Sequence, residues 1–305
     1  MVCHRIRGGL LHSDLPSFAG SVNHHHICVG RIEFAGAYGS YYAQPMSFLS
    51  VENLTLLRQQ RRRHWFQFDL EENVLIDDVS FQLEKTRCLG LVGEEQSGKF
   101  ALTLALLKLH EVEAGTITFA EVDTTSLGDR HFRRLRKRIQ AVFSDGFGQL
   151  TPSLTVDQIF SEVLQLWYGQ EGREQWQHRI ESVMVACGLP EAIRVLYPAE
   201  LDAVERQQVA LARALLPRPW MLISHGFTQG LDAVEEAELL NLLMKVREDF
   251  GLTMLVTTDD LAVAHHLSDD IGVLHRGKLL EFGAAEAVVS HPAHDYTRRL
   301  VSCSL

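Results

Sequence analysis

"LGLVGEEQSGKFALTLALL", residues 89–107, reads as a buried strand, a glycine-bounded loop and a leucine-rich helix in immediate succession. The strand is an unbroken apolar run into a loop, the pattern of a buried strand. The loop follows G-x-x-x-x-G-K-[ST] at Gly93, Gly98 and Lys99, then departs from it at Phe100. In that pattern backbone N–H groups and the lysine cradle phosphates, and the final hydroxyl binds Mg²⁺. A phenyl ring has no oxygen to offer the ion. A partial match of this kind is a weak signal alone, so its weight rests on what surrounds it.

Strands and helices alternate on both sides of the loop, which predicts an α/β core. Strands are expected in "MSFLSVENLTL" (46–56), "VLIDDVSFQL" (74–83), "GTITFAEV" (115–122), "RIQAVFS" (138–144), "WMLIS" (220–224) and "TMLVT" (253–257). Residues 155–215 turn mostly helical, punctuated by Gly188 and Pro198, and predict an inserted helical subdomain. Helices are expected again at 233–250 and 260–268, and no internal repeat is visible. Residues 1–45 carry scattered glycines and the His24–His26 triplet but no sustained period of two or 3.6. The expectation there is a disordered extension, or a reading frame that begins upstream of the true start at Met46.

Bulk composition narrows the function classes. The chain has 305 residues, 46% hydrophobic and 22% charged, with no apolar stretch long enough to span a bilayer. A net charge of −10 argues against a nucleic-acid partner bound through bulk charge. Two basic runs, "RQQRRR" (58–63) and "RRLRKR" (133–138), read as solvated faces. The five cysteines are odd in number and far apart, without C-x-x-C spacing, which suits a reducing cytoplasm and predicts no metal or cluster site.

The whole of 46–305 resembles the ATP-binding subunits of ABC importers of the peptide and nickel class. "VSFQLEKTRCLGLVGE" is similar to the approach to that family's phosphate loop, and "LRKRIQAVFSD" to the approach to its Q-loop. "YPAEL" with "RQQVALARALLPRP" resembles the helix that carries its signature. "GLTMLVTTDDLAVAHHLSDDIGVLHRGKLLEFG" is similar to the stretch around its switch histidine, and "HPAHDYTRRL" to a His-Pro-Tyr-Thr segment peculiar to the class. The resemblance implies a P-loop NTPase fold: a RecA-like core, an N-terminal antiparallel β-subdomain, a helical insertion over about 150–215 and a short tail over about 284–305.

The departures from the family fall on its chemistry. The nucleotide-binding remnant is Gly93, Glu94, Glu95, Gln96, Ser97, Gly98, Lys99, Phe100 and Ala101, with Gln96 where the family has glycine, a cost of about 1–2 kcal/mol if that position needs φ > 0. The Q-loop glutamine is Ser144, the metal-holding aspartate is His225, the catalytic glutamate is Gly226 and the switch histidine is Asp259. The signature Leu-Ser-Gly-Gly-Gln is replaced by Leu201, Asp202, Ala203, Val204 and Glu205, while the D-loop keeps Leu231 and Asp232. The aromatic that stacks on adenine falls near Leu57, with Trp65 or Phe66 as substitutes. His225 reads as a packed strand-end histidine, since no carboxylate is evident to orient it.

Phosphoryl transfer needs the metal, a positioned water and charge stabilisation together, and a single electrostatic donor is worth about 10²–10³ in rate. With several positions changed, the expectation is a pseudo-ATPase that binds ATP weakly or not at all and binds no Mg²⁺. The resemblance implies a second, intact ATPase subunit and membrane-spanning permease subunits as partners, the latter docking near Ser144 to Phe160, on the inner face of the cell membrane. The alternatives are a residual working ATPase energising peptide import, or a soluble adaptor or relic that uses the fold without nucleotide chemistry.

Overall fold

A computed structural model describes residues 47–63, 68–144 and 148–304, with the side chains of 59–63 and 68–72 outside that description. The expectations for 1–45, and for Trp65 and Phe66, lie outside the described residues. The strands are β1 (Leu49–Arg63), β2 (Phe68–Leu83), β3 (Cys88–Val92), β4 (Ala114–Phe119), β5 (Val122–Asp123), β6 (Ile139–Phe143), β7 (Met221–His225), β8 (Thr253–Thr258), β9 (Asp270–His275) and β10 (Lys278–Ala284). The helices are α1 (Lys99–Leu106), α2 (Asp129–Arg136), α3 (Val156–Tyr168), α4 (Arg173–Ala186), α5 (Ala203–Leu215), α6 (Ala233–Phe250), α7 (Leu261–Leu267), α8 (Ala285–Ser290) and α9 (Asp295–Ser304).

The apolar runs become the centre of a six-stranded sheet in the order β10-β9-β3-β8-β7-β6. β3, β7 and β8 pair in parallel with their neighbours, and β10 closes one edge antiparallel to β9. Every residue of β3 and β8 is buried, the two-sided covering that continuous rather than alternating hydrophobicity calls for. A second, antiparallel sheet in the order β2-β1-β4-β5 buries Leu54, Leu56, Ile76 and Phe119 against Leu89, Leu91 and Leu102 of β3 and α1. The α/β architecture with an antiparallel β-subdomain therefore holds.

The β1–β2 hairpin is longer than sequence reading expects. "RQQRRR" continues β1, and its register sets Arg62 opposite Asp69 and Gln60 opposite Glu71. The second basic run ends α2. Arg133 and Arg134 are exposed as expected of a helix surface, whereas Lys137 lies 3.8 Å from the Tyr168 ring centre and Arg138 4.4 Å from that of Trp220. Such cation–π seats stabilise a half-buried cation that a charge run alone does not reveal.

The helical part starts with Thr155, whose side chain caps α3 in a reciprocal box with Gln158. Phe160, Leu164, Ile180, Val183, Met184 and Leu211 form its core across α3, α4 and α5. Phe160 is fully buried and Ser144 nearly so, so neither lines a surface groove. Between them Thr151–Ser153 and Gln158 are exposed.

Candidate functional site

The phosphate loop leaves β3 at Gly93, makes a short 3-10 turn over Glu95–Ser97 and enters α1 through Gly98. Gly98 has φ +104, and a Cβ there would lie 2.5 Å from the Leu75 carbonyl, so only glycine passes this point. Gln96 sits at φ −93, an ordinary conformation for an L-residue, and the left-handed strain considered for it does not exist. The loop thus keeps its path without the family's extra glycine.

Lys99 is buried, and its ammonium turns back into its own loop. Nζ donates to the Gly93 carbonyl, to the Glu94 carbonyl at 2.9 Å and to the Ser97 hydroxyl at 3.4 Å. Burial lowers its pKa, against the opposing pull of Asp259, Glu94 and Glu95. A groove of about 1010 Å³ runs from Gly98, Phe100 and Ala101 past Glu94 and Glu95 to Arg58, Val74, His275 and Arg276. Near Leu57, where an adenine-stacking aromatic was expected, the described lining is Arg58, Asn73, Val74 and Leu75.

Beside the loop, the ends of β6 and β7 present rings rather than oxygens. The Phe100 ring centre lies 5.0 Å from that of His225 and 6.3 Å from that of Phe143, and Phe143 and His225 are 6.1 Å apart. The three rings form a plug at the spot where the motif calls for a metal-bound hydroxyl and a carboxylate. His225 Nδ1 is 2.5 Å from the Thr257 hydroxyl, which in turn points at the Ser224 carbonyl 3.5 Å away. The Thr257 hydroxyl thus orients the imidazole at the place where no carboxylate does so. Burial, helped by Lys99, pushes the His225 pKa down to about 4, so the ring is neutral at pH 7.

Gly226 follows at φ +58, its N–H bonded to the Thr257 carbonyl at 3.0 Å. Ser144 is its neighbour, with its Cβ 3.8 Å from the position a Cβ on Gly226 would take. A cavity of about 220 Å³ brings Glu95, Lys99, Phe100, His225, Gly226, Gln229 and Asp259 together. Mg²⁺ demands near-octahedral oxygen ligands at about 2.0–2.1 Å. The phenyl ring of Phe100, the hydrogen-bonded imidazole of His225 and Gly226 offer the ion no side-chain oxygen.

Residues 201–205 lie apart from this cavity, at the start of α5. Asp202 caps the helix by accepting from the Glu205 N–H at 2.7 Å, and Glu205 accepts from the Asp202 N–H at 3.0 Å. The reciprocal box turns the helix's own carboxylates onto its N-terminal donors, which would otherwise be an anion-binding end. The same five letters, "LDAVE", recur at 231–235, a short repeat that sequence reading missed. Asp232 and Glu235 form the same box there, at 2.9 and 3.1 Å, and cap α6.

A model of the ABC transporter family matches residues 76–224. The oligopeptide transport ATP-binding protein AppF of Bacillus subtilis is 33% identical over 238 residues, 78% of this chain and 72% of AppF. The oligopeptide transport ATP-binding protein OppF of Streptococcus mutans is 33% identical over 227 residues, 74% of each chain. The chain belongs to the ABC transporter family, among its ATP-binding subunits. Solved structures agree on the fold: CbiO1 of Clostridium perfringens, part of the ABC transporter complex cbiONQ, superposes with a TM-score of 0.69 at 20% identity, over 80% of this chain and 91% of that one. The dimeric ABC transporter cassette MJ0796 gives 0.67 at 21% identity, over 78% and 98%. Among the described residues no helix of this ATP-binding subunit is long and apolar enough to cross a membrane.

Proposed function

We propose that this chain is a non-catalytic cassette subunit of a peptide- or nickel-class importer, paired with an intact ATPase subunit and docked on membrane-spanning permease subunits at the inner face of the cell membrane. The names of AppF and OppF, both oligopeptide transport proteins, support the substrate class. The observation that carries the loss of catalysis is the plug, with the Phe100 and His225 rings 5.0 Å apart where metal ligands belong. Gly226 adds no carboxylate to position a water, and Asp259 cannot act as the switch histidine. Phosphoryl transfer draws on all of these at once, so the residual rate falls towards that of the uncatalysed reaction.

ATP enters this reading as a weak ligand or none, with no tightening by Mg²⁺. A phosphate must displace the Lys99 ammonium from the loop's own carbonyls, and Glu94 and Glu95 oppose its charge. In a head-to-tail pair each nucleotide lies between one subunit's phosphate loop and the other's signature. The partner's loop then faces Asp202 and Glu205, two carboxylates already spent on capping α5.

The test uses the purified complex. Asp202→Ser, Ala203→Gly, Val204→Gly and Glu205→Gln together should raise its ATP hydrolysis by completing the site on the partner's loop. Gln96→Gly with Phe100→Ser should leave hydrolysis unchanged, because His225, Gly226 and Asp259 remain. Recovery with the loop repair alone, or an inert verified complex after the signature repair, refutes the pairing.

A further inference from the structure

The segment "HPAHDYTRRL" marks the class in sequence but takes no part in the site as described so far. Its position gives it one. Tyr296, in the first turn of α9, is 6% exposed, and its ring centre lies 4.1 Å from that of His275 at the end of β9. Its hydroxyl donates to Glu94 Oε1 at 3.2 Å, a bond that joins residues 202 positions apart in the chain. Glu94 is the N-cap of the phosphate loop's 3-10 turn and an exposed wall of the groove.

Tyr296 is supported from behind by contacts that fix α9. Glu281 of β10 accepts from the backbone N–H groups of Ala293 at 2.9 Å and His294 at 3.1 Å, fixing where α9 begins. His294 Nδ1 accepts from the Tyr296 N–H at 3.0 Å. The turn between β9 and β10 holds the loop from the other side, through Gly277 N–H to the Ser97 carbonyl at 2.9 Å. The tail and that turn therefore form one brace, and the phenol is its contact with a carboxylate that lines the groove.

A carboxylate free to rotate over a phosphate nest repels any anion entering it, whereas one tied back by a hydrogen bond does so less. We propose that Tyr296 is a positioning residue of the phosphate loop: its hydroxyl holds the Glu94 carboxylate against α9 and away from the anion-binding mouth, so the C-terminal helix sets how the loop accepts a polyphosphate. The ligand half of this statement rests on the reading of the loop as a nucleotide remnant; the brace itself does not.

The experiment compares the full chain with Tyr296→Phe, Glu94→Gln and the double variant by amide hydrogen exchange and by calorimetric titration of ATP and of pyrophosphate. Tyr296→Phe keeps the ring and its stack on His275, so the fold persists and only the hydroxyl is lost. Exchange over residues 93–98 should rise about three- to tenfold, the scale of one hydrogen bond to a partly exposed charged group. Where ATP or pyrophosphate binds, Tyr296→Phe should weaken it by a similar factor, and in the Glu94→Gln background the same change should have no further effect. Unchanged exchange at 93–98 overturns the brace whether or not any polyphosphate binds. Equal weakening in both backgrounds overturns the action through Glu94. If neither polyphosphate binds any of the four proteins while loop exchange rises, the action on polyphosphate is overturned and the brace stands.

Discussion

The two copies of "LDAVE" set one local code in two places. At 201–205 and 231–235 the aspartate has almost the same backbone, φ −74 and ψ 179 against φ −75 and ψ 169, and closes the same box with the glutamate three residues on. Their surroundings differ. Leu201 is buried against the helical core, while Leu231 is only partly covered by it, and Asp232 accepts from Val234 as well as Glu235. The copy at 231–235 lies where the resemblance places the Leu-Asp of the D-loop, and the copy at 201–205 where it places a glycine-rich signature. The comparison teaches that the second site is not a damaged loop. It is a well-formed helix start, and the structure there is stable for the same reason that it is poorly suited to clamping an anion.

The largest effect that would sharpen this contrast lies in the leucines. Leu201→Ala should cost about 2–4 kcal/mol, the range for a buried leucine, and Leu231→Ala roughly half as much, read from denaturant midpoints. Equal costs would mean that the two boxes share their tertiary support after all.

A region with no local code gives the next test. The His225 pKa of about 4 lies below its unfolded value of 6.5, so the unfolded chain binds the extra proton first as pH falls. Stability from this group is complete above pH 6.5 and declines between 6.5 and 4. After discounting for the ring's partial exposure, the loss from pH 7 to pH 5 should be about 1–2 kcal/mol, and His225→Asn should flatten that part of the pH profile. A profile unchanged by the substitution would remove the buried neutral imidazole from the plug.

Capping changes come third. Asp202→Ala and Asp232→Ala should each cost about 1 kcal/mol, with Asp232 the dearer because it satisfies two backbone donors. A lower cost at Asp232 would break the assigned order. The smallest effect is Asp202→Ser, within a few tenths of a kcal/mol, since serine caps as well as aspartate. This makes the signature repair tolerable to the fold, and a collapse in melting temperature would contradict the capping role.

Much of this was legible before any coordinates. The apolar run at 88–92 marks a buried strand, and Gly93, Gly98 and Lys99 mark the loop, because hydrophobic burial and glycine conformation are local in sequence. The Asp-x-x-Glu boxes are legible too, since "LDAVE" is a plain capping pattern that comparison with a family signature hides. Comparison of Gln96 with a glycine suggests a strain that its φ of −93 does not carry. The plug and the Tyr296–Glu94 bond were not legible. Phe100, Phe143 and His225 are brought together by sheet order, and the tyrosine meets its carboxylate across most of the chain's length.

The inward fold of Lys99 has a temporal consequence. Its ammonium is already satisfied by the carbonyls of Gly93 and Glu94, so a phosphate reaching the loop meets a site that must first let go of itself. Encounter and capture become separate events, and the second is a unimolecular release whose pace the ligand's concentration does not set. In a stopped-flow trace the observed rate would climb with added polyphosphate and then level off, the plateau being the frequency at which the lysine lets the loop open.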